Sequence, residues 1–137
     1  MTSPHHAARY GVRAGGAGAF MLALTFAPAV LAGEADIVDV RVVAEPAETY
    51  RFEVTLTHSD EGWEHYADRW DVLDDAGNVL RTRKLMHPHV NEQPFTRSLP
   101  GVSLPNGVAH VTIRAHDTVH GYGGKEMRIS IPRQARE

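Results

Sequence analysis

Between residues 36 and 131 apolar and polar positions alternate in short runs, the period of a half-buried β-strand. Residues 50–57 show it most cleanly, with Phe52, Val54 and Leu56 on one face and Arg51, Glu53, Thr55 and Thr57 on the other. Residues 108–115 repeat it, with Val111, Ile113 and Ala115 inward and Thr112 and Arg114 outward. Residues 36–43 are rich in β-branched side chains, and 69–73 carry Trp70 and Val72. After the turn signal Asp74-Asp75-Ala76-Gly77-Asn78, strand character resumes over 79–86. A short strand over 95–99, a Pro/Gly connection over 99–107 and a last strand over 126–131 complete the pattern. In that last strand Met127, Ile129 and Ile131 are in phase. No stretch carries a helical period.

Seven short strands separated by turn signals predict an all-β antiparallel sandwich of the immunoglobulin or fibronectin III type, with a small open barrel as second choice. Trp70 fits the buried tryptophan of such sandwiches. In an antiparallel sandwich nearly every link reverses the chain. Loops 58–68, 87–94 and 116–124 then share one pole, and the other three links share the opposite one. The first set holds His58, His65, His87, His89, His116 and His120, and the second holds no histidine. Clustered loops on a rigid scaffold are where binding sites are built.

The ends change the picture of where the protein works. Arg9 and Arg13 precede the charge-free apolar run 14–30, and small residues follow, with Ala32 and Ala35 suited to positions before a cleavage point. We read residues 1–32 as an export signal cleaved near Ala32 and residues 33–137 as one β-sandwich domain, periplasmic or secreted. No stable membrane span remains after cleavage; an uncleaved N-terminal anchor is the alternative. Residues 134–137 read as a frayed tail. The 137-residue chain has a net charge of −3, and losing Arg9 and Arg13 makes it two units more negative. An acidic domain argues against nucleic acid as a partner. Cysteine is absent, which excludes disulfides, thiol chemistry, cysteine zinc sites and a type 1 copper centre.

His87-Pro88-His89 is the sharpest local signal. Residues i and i+2 of an extended segment point to one side, so two imidazoles could chelate one ion. A third ligand would come from His116 or His120 across the pole, or from His58 or His65. Imidazole suits zinc and copper; nearby, the Met86 thioether favours Cu(I) and the Asp117 carboxylate favours zinc. The bland alternative is a pair of exposed, hydrogen-bonded loop histidines. His116 is in phase with the solvent face of its strand and Asp117 with the core face. Asp117 could fix a histidine tautomer beside a metal or simply cap its loop. His58 is in phase with Phe52, Val54 and Leu56 and reads as a cap on the core. His65 sits beside Trp63 and Tyr66; those rings with Tyr122 could form an aromatic surface for a sugar or peptide, although covering the end of the core is the simpler role for Trp63 and Tyr66. Asp60, Glu61, Glu64 and Asp68 match no calcium-loop spacing. Arg81 and Arg83 suit a solvated edge strand. No nucleophile elbow and no H-E-x-x-H helix is present, so an enzyme is not expected.

Residues 62–68 (GWEHYAD), Trp70, 87–99 (HPHVNEQPFTRSL) and 112–124 (TIRAHDTVHGYGG) resemble a family of small exported proteobacterial proteins known only as hypothetical proteins. The resemblance implies export and a compact β domain, and it brings no cofactor or active residue. The sequence therefore points to an exported protein that binds copper or zinc through His87, His89 and His120, with His116 next. Asp117, Met86, His65, Trp63 and Tyr122 stand around them as supporting or partner-binding residues. The other reading is a metal-free module whose same loops dock an envelope protein.

Overall fold

The structure, a computed structural model, describes residues 33–134 together with Gly11 and Gly15. Apart from those two glycines, the predicted leader lies outside the described residues. Seven strands follow in order: β1 (Asp36–Glu45), β2 (Thr49–Thr57), β3 (Ala67–Leu73), β4 (Val79–Lys84), β5 (Phe95–Val102), β6 (His110–Asp117) and β7 (Met127–Ser130). They form two antiparallel sheets, β1-β2-β5 and β4-β3-β6-β7, packed face to face as the predicted sandwich. The fourth strand pairs with the third rather than joining the first sheet, where constant-type immunoglobulin domains place it.

The core is what the alternation dictates. Phe52, Val54 and Leu56 from one sheet meet Trp70, Val72, Val111 and Ile113 from the other, all fully buried. The inward face of β1 does not follow a strict alternation. Val38 is an extra residue opposite β2, so the inward set passes from Ile37 to Val40 and Val42. β5 runs three residues beyond the predicted end because the register shift near Pro100 and Gly101 returns Val102 to the core opposite Tyr50. The tail also differs from expectation at its first residue. The Gln134 amide donates to the Thr49 carbonyl at 2.9 Å, which ties it to the β1–β2 turn; residues 135–137 are not described.

Every link reverses direction, so loops 58–66, 85–94 and 118–126 share one pole, as the strand count requires. They are bonded to one another there. The His89 amide donates to Asp60 Oδ2 (2.6 Å), the His58 amide to Gln93 Oε1 (3.0 Å) and the Thr118 amide to the Tyr66 carbonyl (3.1 Å). At the flank where β4 lies against β5, Arg83 Nε crosses between the sheets and donates to the Ser98 carbonyl at 2.9 Å.

Candidate metal site at the histidine pole

Three side chains converge beneath the pole. One ligand atom each from His58, His65 and Asp117 lies within 4.8 Å of the others, and all three residues are buried. Strand phase puts two of them there. His58 continues the inward face of β2, and Asp117 continues the inward face of β6 beyond Ala115. His65 reaches the same point from the β2–β3 loop. That loop is folded back by the Glu61 amide donating to the His65 carbonyl and the His65 amide donating to Gly62. The His58 and His65 rings meet edge to face at 4.8 Å.

The polar atoms around this point are half committed. His58 Nδ1 donates to Asp60 Oδ1 at 2.5 Å, and both side chains are fully buried. A carboxylate accepts only, so this bond fixes the proton on Nδ1 and leaves the Nε2 lone pair free. Asp60 is itself held, accepting also from the Ala67 amide (3.0 Å) and the His89 amide. The Asp117 Oδ1 atom takes the amides of His120 (2.7 Å) and Val119 (2.9 Å). Burial pushes the Asp117 carboxyl upward. These amides, with the His58 and His120 rings beside them, pull it down further, and it ends below the usual carboxylate value. Asp117 is therefore an anion at neutral pH.

What is left over is the signature of the site. His58 Nε2, His65 Nε2 and Asp117 Oδ2 are buried and have no hydrogen-bond partner. Trp70 Nε1 and both His89 ring nitrogens are also without a partner, but only these three atoms belong to residues that converge; each costs about 1–3 kcal/mol when left unpaired. His65 Nε2 lies 3.3 Å from Asp117 Oδ1, without hydrogen-bond alignment. His65 Nδ1 faces Glu61 at 3.5 Å. With its proton on the Glu61 side, His65 points a lone pair at a carboxylate, a contact that needs a cation between them. The separation matches the roughly 3.3 Å that a tetrahedral zinc imposes on two ligand atoms. His120 stands at the margin, one-third exposed, with Nδ1 3.3 Å from Asp117 Oδ1 and its ring 5.0 Å from that of His65.

The residues singled out by sequence are distributed otherwise. None of His87, His89, His116 and His120 belongs to the converging group, whereas His65 and Asp117 do. His87 and His89 are adjacent, with ring centroids 4.7 Å apart, but His89 is stacked on Phe95 at 3.9 Å. Both His89 ring nitrogens are buried without a hydrogen-bond partner, while His87 Nδ1 lies 3.1 Å from the Pro88 carbonyl; no third ligand residue converges on the pair among the described residues. Burial lowers the His89 pKa first, and the charges of Arg97 and His87 lower it further. His116 is spent elsewhere: it donates to Asp68 at 2.5 Å on the outer face of the larger sheet. Tyr122 lies beside it, donating to Asp71 (2.8 Å) under the Arg114 guanidinium. Tyr122 therefore does not share a surface with Trp63. Trp63 does not cover the core; it is 67% exposed, edge-on to Tyr66. Met86 is exposed and outside the converging group.

Sequence reasoning named His58 as an alternative third ligand but read it first as a core cap, and it gave the partner Asp60 no part in the site. The inward phase of His58 was visible, and so was that of Asp117. The signal that could have found the site is that β2 and β6, in different sheets, both bring an inward-phase metal-ligand residue to the same pole at their ends.

No family model matches the chain, and no solved structure matches it. It is similar to a protein of Halomicrobium mukohataei named "Putative lipoprotein", 43% identical over 96 residues. The similarity covers 70% of this chain and 47% of that protein, so the chain spans about half of its relative's length. That relative is haloarchaeal, and it gives no support to the proteobacterial placement suggested by the motifs.

Proposed function

We propose that the protein is an exported carrier or buffer of zinc, holding the ion between His58 Nε2, His65 Nε2 and Asp117. The observation that carries this reading is that three residues with converging ligand atoms each bear a buried, partnerless polar atom. Zinc is preferred over copper because the third donor is a carboxylate oxygen, with no thiolate in the chain. His120 would swing in as the fourth ligand. A site closed by four protein ligands suits storage or structure rather than hydrolysis, which needs an open position. Asp60 would hold His58 in the ligating tautomer, the usual task of a carboxylate behind a metal-bound imidazole. An envelope location is supported by the apolar run 14–30 and by the relative's name.

The test is chelator-competed zinc titration of the purified protein and of His65→Ala, Asp117→Asn and His87→Ala variants. We expect one tight site, lost in the first two variants and retained in the third. Binding unchanged in the first two, or lost in His87→Ala, would overturn the assignment.

A further inference from the structure

Large exposed apolar side chains are unevenly placed among the described residues. Trp63, Met86, Val90, Val119 and Tyr122 all stand in the three pole loops, and Val38 stands in the bulge near the pole end of β1. Val79, by the β3–β4 turn, is the exception at the far end. Trp63, Met86 and Val119 are each more than half exposed, and they come from three different loops. Single exposed apolar residues need no explanation, but one on each loop at one end makes a contact face.

The chain enters the domain at this same face. Gly33 and Glu34 line a cleft with His58, Ser59 and Gly123, and Asp36 accepts the Lys125 amide at 2.6 Å. In sequence the charge-free apolar run 14–30 ends three residues before Gly33. The described domain therefore starts on the side of the exposed loops.

We propose that the histidine pole docks on a lipid bilayer surface, seating Trp63, Met86, Val90 and Val119 at headgroup level. Tryptophan is the side chain most suited to that depth, having an apolar ring and one donor for the wet side. No helix among the described residues is long and apolar enough to cross a membrane, so the domain's contact is made by loop tips. With the run 14–30 kept as the uncleaved N-terminal anchor, the alternative to cleavage near Ala32, a short tether turns docking into an intramolecular event, and a few apolar tips then suffice. The same loops carry exposed Glu61, Glu64, Glu92 and Glu126 against exposed Lys125, an acidic balance. The face therefore suits zwitterionic headgroups and is repelled by anionic ones. This inference does not rest on the zinc site.

The test uses the full chain reconstituted in phosphatidylcholine vesicles, with chelator present throughout. Trp70 is fully buried, so a Trp63→Phe variant supplies the background emission and the difference reports Trp63. We expect headgroup-labelled quencher lipid to remove most of the Trp63 emission, and acrylamide quenching to fall several-fold below that of free indole. A Met86→Glu/Val119→Glu variant, altered only at exposed positions, should restore water access. Trp63 as open to acrylamide as free indole would overturn the proposal. So would shielding without lipid quenching, which would mean that a second copy or another protein covers the face. Stronger docking on phosphatidylglycerol than on phosphatidylcholine would also overturn it.

Discussion

Replacing Asp60 by alanine should strongly destabilise the pole. Its carboxylate accepts from His58 Nδ1 (2.5 Å), the His89 amide (2.6 Å) and the Ala67 amide (3.0 Å), so it joins two pole loops to the start of β3. The carboxylate and the His58 ring have no solvent contact, so solvent screening does not weaken the pair. Hydrogen bonds to a charged group contribute about 1.5–3 kcal/mol each, and the three are not additive. Removing one partner of a buried charged network typically costs about 3–5 kcal/mol. We take about 4 kcal/mol, a large part of the roughly 5–15 kcal/mol that holds a domain of this size. In urea, at a slope of about 1–2 kcal/mol per molar, the midpoint should fall by roughly 2–4 M with the slope unchanged. Asp60→Asn keeps the shape but turns an amine toward one of the three donors, and should lose about half as much. The measurement is urea unfolding in the presence of chelator, followed by far-UV circular dichroism and tryptophan emission together. A midpoint shift under about 0.5 M for Asp60→Ala would refute the argument that this carboxylate organises the pole.

Zinc at about 100 times its dissociation constant should stabilise the protein by about 2.7 kcal/mol, raising the melting temperature by on the order of 10–20 °C in calorimetry. The same gain in Asp117→Asn would disprove the site. Stability should fall as pH drops below about 6.5, in part through His89. Its folded pKa is depressed below the unfolded value, first by burial and then by Arg97 and His87, against the opposing pull of Glu92 and Asp60. The unfolded chain then binds the proton first. His89→Phe, which keeps the stack on Phe95, should flatten the urea-midpoint profile between about pH 5 and 6.5; an identical profile would show that His89 does not contribute. Gly124→Ala should be severely destabilising, because its Cβ would fall 1.9 Å from the Ala35 carbonyl oxygen and backbone cannot yield as a side chain can. A thermal midpoint within about 3 °C of the parent would contradict this packing.

The strands and the pole were legible because both rest on local rules: alternation sets the faces, and reversal at every turn sets the ends. The bulge at Val38 was not legible, since it appears only when β1 is paired with β2. The site was half legible. The inward phase of His58 and Asp117 could be read from Phe52–Val54–Leu56 and Val111–Ile113–Ala115, but each alone looks like a capped strand end. Their meeting depends on how the two sheets are stacked, which no local pattern encodes. His87-Pro88-His89 sets its two rings side by side, as the spacing predicts, but spacing does not say what lies there. Phe95 packs against the His89 face, and the convergence with a third ligand residue occurs instead at His58, His65 and Asp117.

Arg83 has a consequence for how copies of this protein meet. β4 and β5 are the free edges of their sheets on one flank, and a free edge invites another strand to add to it. The Arg83 guanidinium occupies the Ser98 carbonyl, and its other arm takes the Lys84 carbonyl. An incoming strand would have to displace a charged, doubly engaged side chain before it could pair. The flank is thereby sealed by a cation instead of by hydrogen-bonded backbone, and copies brought together at high concentration are kept from adding strand to strand along it.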